Sequence, residues 1–582
     1  MPSSAFLRVR RRSVGLRQWL RASELAFILL AALAGAAAGT ATIAQSWLAH
    51  AIQRLLYGVT INRLSALGSI SHPWKLLALP LGGLLIMLLA RWERRRRTPI
   101  DVVEANALHG GRIPATDNLV VAAQTIVSNG CGASVGLEAA YAQMGGGIAS
   151  LLGQWLRLRR ADLRTLVGAG AGAGIAAAFG APLTGAFYAV EIVIGSYSTA
   201  SIAPIVAAAL AAALVMRGLG VEPYLIATTA SRTITTVDYL AYAGLGIVCA
   251  MLGIAIMRMV TLAERAVKAV RRIELWRPLI GGLTLMPLAM ISPQTLSAGH
   301  GALHLDLLLR PTMSFLIVVI LLKIAASVIS LASGFRGGLF FASLFIGSLV
   351  GQLFAELFNL NPWGLHVNAM DAAMVGMAAL SVSVIGGPMT LGMLMLETTH
   401  DFALMGVVLT ASLLATAVTR EVFGYSFSTW RLHVRGSIIR SPRDIGWMLT
   451  LNAGRIMRRD WIAVPENSTI ADVRAAIPPG SASKAVIVDQ AGHYRGIVPA
   501  AAAHTSERDG MSPATALAVL TDTTLTPADD LKSVLRAFDN VQADELAVVT
   551  EDGTLLGIVT EKYARRRYLE EIEAAQRHLF GE

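Results

Sequence analysis

Glu138 is the one carboxylate in Asn129-Gly130-Cys131-Gly132-Ala133-Ser134-Val135-Gly136-Leu137-Glu138-Ala139-Ala140, a run of small and apolar residues. A charge at the centre of a bilayer costs on the order of 3 kcal/mol or more, so such residues usually face a bundle interior or an ion path. Gly136 permits a tight backbone turn just before it, and the Ala-Ala that follows suits the opening of a helix. A helix N-terminus presents unpaired N–H groups that favour an anion. The carboxylate is itself such an anion, and it would compete with a soluble one for the same amides. The plainer alternative is a glutamate that caps its own helix or pairs with an arginine on a loop.

Two further carboxylates stand in matched settings. Phe179-Gly180-Ala181-Pro182-Leu183-Thr184-Gly185 leads to Glu191, and Gly386-Gly387-Pro388-Met389-Thr390-Leu391-Gly392 leads to Glu397, with nine residues from Pro to Glu in each copy. Pro-interrupted apolar helices at corresponding places in two halves are the mark of an internal transporter repeat, with substrate near the midplane between them. Glu191 and Glu397 read as structural carboxylates bonded to backbone at buried helix ends.

The elements that must carry these residues lie in membrane. A chain of 582 residues, 54% hydrophobic and 15% charged, is richer in apolar residues and poorer in charge than a soluble globule. Apolar runs recur near 25–48, 75–90, 202–216, 238–259, 278–291, 314–332, 339–358 and 403–418, several long enough to cross about 30 Å of hydrocarbon. Between them lie Gly-broken stretches, 119–136, 166–180 and 371–387, where irregular backbone would line a pore or binding site. The net charge of +11 does not indicate nucleic acid, because Arg8, Arg10, Arg11, Arg12 and Arg17 precede the first span and Arg91 and Arg94 to Arg97 follow the second. The positive-inside bias makes those spans a hairpin with both ends in the cytoplasm. The first span runs too far for a cleavable signal. The two cysteines, Cys131 and Cys249, give neither a disulfide framework nor a metal site.

The chain divides into a basic N-terminus (1–23), a membrane region (24–432), a charged linker (433–455) and a soluble region (456–582). The soluble region itself repeats, as 456–510 and 511–582: Val486-Ile487-Val488 leads through Gly492 to Gly496-Ile497-Val498, and Ala547-Val548-Val549 through Gly553 to Gly557-Ile558-Val559. Each copy predicts α/β structure with a tight turn at Gly. Amphipathic or charged helices are expected at Asp529 to Phe538 and Glu561 to Gln576.

Across roughly residues 20 to 432 the chain resembles the chloride channel/transporter (CLC) family, with a paired cystathionine-β-synthase-type (CBS) module behind it. Four ordered motifs carry the resemblance: Gly110-Gly111-Arg112-Ile113-Pro114, Gly136-Leu137-Glu138-Ala139-Ala140, Phe179-Gly180-Ala181-Pro182-Leu183 and Gly338-Leu339-Phe340-Phe341-Ala342. The resemblance implies a mainly α-helical polytopic membrane protein of two inverted halves and a C-terminal α/β CBS pair. It implies a homodimer in the lipid bilayer with a path for chloride or a similar small anion in each subunit. Converging helix N-termini would hold a dehydrated anion. Glu138 matches the gating glutamate, which occupies the outer anion position when ionised and swings away when protonated or displaced. Leu339 and Phe340 match the central amide contacts; Leu137, Ala139, Gly111, Arg112 and Ser428 fall at the remaining anion-binding positions.

Several positions depart from the family. Gly111 falls where the family has a pore serine and Ser428 where it has a pore tyrosine, with Tyr425 out of register; Arg112 either compensates for the lost donor or snorkels to the cytoplasm. Ile192 stands where proton-coupled members carry a second glutamate, and isoleucine carries no proton. We therefore expect weakly coupled or uncoupled chloride movement, with a chloride/proton antiporter as the alternative. In the CBS pair Tyr563 stands where a ribose-binding Asp is expected after Gly557-Ile558-Val559-Thr560, and Pro499 and Ala502 replace Thr and Asp in the first copy, so nucleotide binding is not expected. No enzyme activity, cofactor or metal is expected. An intramembrane metalloprotease would need His-Glu-x-x-His, whereas His300-Gly301-Ala302-Leu303-His304 lacks the catalytic base. A magnesium transporter would need several acidic ligands in the spans. The expected location is a bacterial inner membrane, with the CBS domains cytoplasmic.

Overall fold

In a computed structural model of the protein, the described residues are 23–59, 64–70, 72–93, 99–223, 234–270, 274–309, 311–362, 365–434, 451–478, 484–505, 509–568 and 570. The Arg8–Arg17 and Arg94–Arg97 clusters, most of the linker and the end of the C-terminal helix lie outside them; 561–568 is helical. The chain divides into two units, Met1–Asp444 and Ile445–Glu582, at a point inside the linker read from the sequence.

The first half of the membrane unit comprises α1 (Glu24–Tyr57), α2 (Ala78–Glu93), α3 (Val102–Leu108), α4 (Ala115–Gly130), α5 (Glu138–Trp155), α6 (Arg160–Phe179), α7 (Pro182–Tyr188) with a π turn at Ala189–Ile194, and α8 (Thr199–Gly218). The second comprises α9 (Thr236–Ala269), α10 (Arg277–Ile291), α11 (His300–Leu309), α12 (Met313–Ala332), α13 (Phe340–Phe358), α14 (Ala369–Ile385), α15 (Pro388–Thr399), α16 (Phe402–Val422) and α17 (Phe427–Val434). Among the described residues seven helical segments are long and apolar enough to cross a membrane.

The stretches expected to be irregular at 119–136, 166–180 and 371–387 are largely helical: they fall on α4, α6 and α14. Their glycines serve close packing instead. A Cβ at Gly145 of α5 would strike the backbone of Gly170 on α6, and one at Gly347 of α13 would strike Gly376 on α14. Small residues let helix backbones approach where burial of apolar area gives no drive between helices in lipid.

The two halves exchange equivalent contacts. Gly136 N–H donates to Gly338 O (2.9 Å) and Gly338 N–H to Gly136 O (3.1 Å). Ser134 N–H donates to Ser330 Oγ and Arg336 N–H to Ser128 Oγ, both at 3.0 Å. Gly132 and Gly334 both hold φ +92°. Ser128 and Ser330, Gly132 and Gly334, Ser134 and Arg336, and Gly136 and Gly338 are each 202 residues apart, so a local two-fold relates the starts of α5 and α13.

The Pro–Glu echo is a second exchange. Glu191 accepts from Met389 N–H, Thr390 N–H and Thr390 Oγ1 (3.2, 2.9 and 2.7 Å), capping the start of α15. Glu397 accepts from Leu183 N–H, Thr184 N–H and Thr184 Oγ1 (2.8, 2.8 and 2.7 Å), capping α7. Both helices begin with Pro and have no side-chain cap of their own, so each takes its anion from the other half.

In the C-terminal unit α18 (Ala453–Ile456), β1 (Ile462–Pro465), α19 (Ile470–Ala476), β2 (Lys484–Val488), β3 (Tyr494–Pro499) and α20 (Ala500–Thr505) form one copy. The other has β4 (Thr524–Leu525), α21 (Leu531–Val541), β5 (Glu545–Val549) and β6 (Leu555–Thr560). Each sheet has three strands, the first parallel and the third antiparallel to the middle one. The copies exchange bonds too: Tyr494 N–H to Gly553 O and Leu555 N–H to Gly492 O across the hairpin turns, with further reciprocal bridges Arg458↔Ile558 and Ile497↔Val519.

Candidate functional site

Glu138 is the first residue of α5 and is 3% exposed. The carboxylate folds back over Gly136: a Cβ there would fall on Glu138 Oε2. Gly136 is not among the left-handed glycines; what it supplies is the room that the carboxylate occupies. The carboxylate faces its own amide and that of Phe341, yet Oε2 is buried without a hydrogen-bond partner. Leu137 and Leu339 occupy equivalent N-cap positions on α5 and α13, neither with a side-chain cap, and the Glu138 carboxylate lies against first-turn amides of both helices.

The loop before Glu138 is pinned from three sides. Asn129 Nδ2 donates to Val135 O (2.7 Å) and Ser297 Oγ (3.0 Å). Gln53 Nε2 from α1 donates to Asn129 Oδ1 (3.0 Å) and Tyr57 Oη to Cys131 O (2.8 Å). Ser297 N–H donates to Gly132 O (3.0 Å), and Lys323 Nζ of α12, fully buried, donates to Ser297 O (2.7 Å) and Thr295 O (3.3 Å). Phe340 lies between Phe179 (ring centroids 5.3 Å) and Tyr188 (6.4 Å).

A cavity of about 630 Å³ is lined by Glu138, Ala139, Leu339, Phe340, Ile192 and Ser428, which brings together six of the sequence-predicted positions. It is also lined by Asp101, Glu264, Lys268, Arg277, Arg336 and Arg431. A second cavity of about 530 Å³ shares Ile192 and Ser428 and is edged by Glu191, Arg420, Ser383, Thr416, Thr419 and Thr429. Tyr425 borders only this one, and its hydroxyl faces His433 Nδ1 at 3.4 Å.

Gly111 and Arg112 are not brought to the site. Gly110 and Gly111 hold φ +60° and +82° in the turn that ends α3, a conformation that favours glycine for its own sake. Gly111 O accepts from Ser150 Oγ, the turn packs on Arg160 and Leu163 of α6, and the Arg112 side chain is exposed. The cavity wall here is Asp101, which caps α3 through Val103 N–H (2.9 Å). Leu137 is buried and does not line the cavity. Sequence reasoning also missed Arg336; the signal was present, since Ser128, Gly132, Gly136 and Leu137 repeat as Ser330, Gly334, Gly338 and Leu339, setting Arg336 opposite Ser134. Its Nη1 donates to Gln124 Oε1 at 3.1 Å.

In the C-terminal unit Asp489 closes the first hairpin: the His493 amide, then the His493 ring and the Ala491 amide, hold its carboxyl down at about 2. Tyr563 is partly exposed, 38%, at the position where a ribose-binding acid was sought.

Comparison with known proteins agrees with this architecture. The model of the voltage gated chloride channel family matches residues 81–420, and that of the CBS domain residues 519–570. A protein of Ralstonia nicotianae named as a ClcB-like chloride channel protein is 30% identical over 396 residues, 64% of this chain and 89% of the relative. The voltage-gated ClC-type chloride channel ClcB of Escherichia coli O157:H7 is 26% identical over 369 residues, 62% of this chain and 87% of the relative. Among solved structures, a slow cyanobacterial Cl−/H+ antiporter aligns with TM-score 0.62 at 22% identity, covering 70% of this chain and 97% of that one. A CLC-type fluoride/proton antiporter aligns with TM-score 0.58 at 25% identity, covering 68% and 96%. A eukaryotic CLC transporter aligns with TM-score 0.59 at 20% identity, covering 92% and 97%. With the family model spanning more than half its length, a local two-fold at its centre and a CBS match behind it, the chain is an integral membrane protein of the voltage-gated chloride channel (CLC) family.

Proposed function

We propose that the chain moves chloride or a similar small anion along a path that runs through the 630 Å³ cavity to the paired starts of α5 and α13, with Glu138 as its gate. The observation that carries this is the Glu138 carboxylate, buried with an unpartnered Oε2 where the starts of two helices meet and where a cavity reaches it. An ionised carboxylate there fills the position an anion would take; its departure frees the amides. Leu339 and Phe340 supply the central backbone contacts, with Ala139 and Ser428 along the wall. Lys268, Arg277, Arg336 and Arg431 outnumber Asp101 and Glu264 along the cavity and concentrate anions at its mouth. That mouth is the cytoplasmic one by the positive-inside bias, which puts Glu138 toward the outside and the C-terminal unit in the cytoplasm of, we propose, a bacterial inner membrane. We further propose a homodimer with one path per subunit.

Ile192, 6% exposed between the two cavities, places an alkyl group where a relay would begin, and this favours weakly coupled or uncoupled transport. The second reading, a chloride/proton antiporter, is favoured by the hydroxyl-edged 530 Å³ cavity beside Ile192, which has room for water. The test is flux in proteoliposomes with chloride and proton followed together. Expected are chloride movement with little proton movement, external pH dependence that Glu138→Gln removes, and proton coupling raised by Ile192→Glu. Uphill proton pumping by the wild type that vanishes in Glu138→Gln would establish the antiporter; pH dependence unchanged in Glu138→Gln would remove the gate.

A further inference from the structure

The turn from α5 to α6 gathers cations that the anion path does not use. Arg157, Arg159, Arg160 and Arg164 crowd into one short stretch, and Asp162 is the one carboxylate between Glu138 and Glu191. Arg157 turns the chain at φ +53°, and Arg159 is the N-cap of α6. The turn that ends α3, with its exposed Arg112, packs against them. A Cβ at Gly110 would meet Arg160 Nε at 2.7 Å, and one at Gly111 would meet Arg164 N at 3.3 Å. Ser150 Oγ donates to Gly111 O (2.6 Å) and accepts from Ile113 N–H (2.9 Å), so α5 fastens the same turn.

Arg157 and Asp162 have interactions of their own. The side chains of Arg112, Arg159, Arg160 and Arg164 make no hydrogen bond or ion pair among the described residues. Arg164 Nε is buried without a partner, and a buried donor left unpaired is costly unless an acceptor from outside the chain satisfies it. Arg160 and Arg164 stand one helical turn apart, where like charges repel, so an anion between them would relieve both. A guanidinium fork fits the oxygens of a phosphate two at a time.

The surroundings favour a phosphate that belongs to a lipid. Leu156 and Leu158 pack on Ala26 and Leu30 in the first turns of α1, which sets the α5–α6 turn at the start of the first span, the cytoplasmic end in the topology proposed above. Just before the arginines, Leu151 and Trp155 of α5 are 43% and 70% exposed. An exposed leucine and an indole next to unpaired arginines suit an acyl chain, the headgroup boundary and the phosphate in turn. We propose that the α5–α6 turn, with Arg159, Arg160 and Arg164 beside Arg112, binds the phosphate of an anionic phospholipid of the cytoplasmic leaflet. A soluble anion would leave the exposed leucine and indole without a role.

The test is the melting temperature of the purified full-length protein in neutral detergent with added phosphatidylglycerol, phosphatidylcholine or inorganic phosphate, for wild type, the double variant Arg160→Gln/Arg164→Gln, and Arg265→Gln. Arg265, exposed near the end of α9, is the control. Phosphatidylglycerol should raise the wild-type melting temperature by a few degrees, because a ligand that binds the native state stabilises it by mass action; the other two additions should not. The double variant should lose more than half of that rise, and Arg265→Gln should keep it. Each single variant should lose a part, and these carry the test if the double variant does not fold. No rise in the wild type, or an equal rise in the Arg160 and Arg164 variants, would overturn the inference. A rise with inorganic phosphate that matches the rise with phosphatidylglycerol would overturn it in favour of a soluble anion. None of these readings involves Glu138, so the lipid site and the gate stand or fall separately.

Discussion

A methyl group added at Gly136 would occupy the space that Glu138 Oε2 holds, while one added at its equivalent, Gly338, would meet Ala139 Cβ at an ordinary 3.5 Å. The two glycines donate the same reciprocal backbone bonds, so this difference isolates the carboxylate. Gly136→Ala should expel the carboxylate and raise anion flux at alkaline external pH several-fold, approaching the behaviour of Glu138→Gln. Gly338→Ala should leave flux near wild type. The measurement is efflux at fixed alkaline pH, and equal rates for the two variants would contradict the crowded geometry. At this scale the sequence disclosed the carboxylate, because an acid among small apolar residues is anomalous. It misdirected Gly111 and Arg112, because a left-handed turn and a close approach to an ion both call for glycine, and residue type alone does not separate them.

Helices α7 and α15 depend on one another through their caps. Each carboxylate, Glu191 or Glu397, accepts two amide bonds and a threonine hydroxyl from the opposite half. Removing such an acceptor from a partly buried helix start costs about 1–3 kcal/mol. Glu397→Ala and Glu191→Ala should each lower the melting temperature in detergent, and Glu397→Gln should lose less, since its amide oxygen can still accept. Melting temperatures equal to wild type would show that water satisfies those amides. The Pro–Glu echo was legible because proline and glutamate are rare in apolar helices. The 202-residue echo of Ser128, Gly132 and Gly136 passed unnoticed because serine and glycine are common in such sequence, and only the exchanged bonds give it meaning.

Over the whole molecule, every apolar run read from the sequence became a helix, since hydropathy and length specify a span without regard to its neighbours. What the runs did not reveal was which cations share a wall: Lys268, Arg277, Arg336 and Arg431 come from separate helices and loops and meet only in the folded chain. The C-terminal unit was legible as a repeat, and its missing acid at Tyr563 leads to an expectation for the full protein: ATP, ADP and AMP at millimolar concentration should leave the melting temperature unchanged. A reproducible rise would contradict it, because a ligand that binds the native state stabilises it by mass action. The exchanged bridges in this unit carry one more consequence. Val519, which precedes the second sheet, pairs with Ile497 on the outer edge of the first, and Arg458, which precedes the first sheet, pairs with Ile558 on the outer edge of the second. Each copy is thus the edge guard of the other, and a truncation between them would leave two open strands ready to recruit foreign chains, turning a soluble appendage into a nucleus for aggregation.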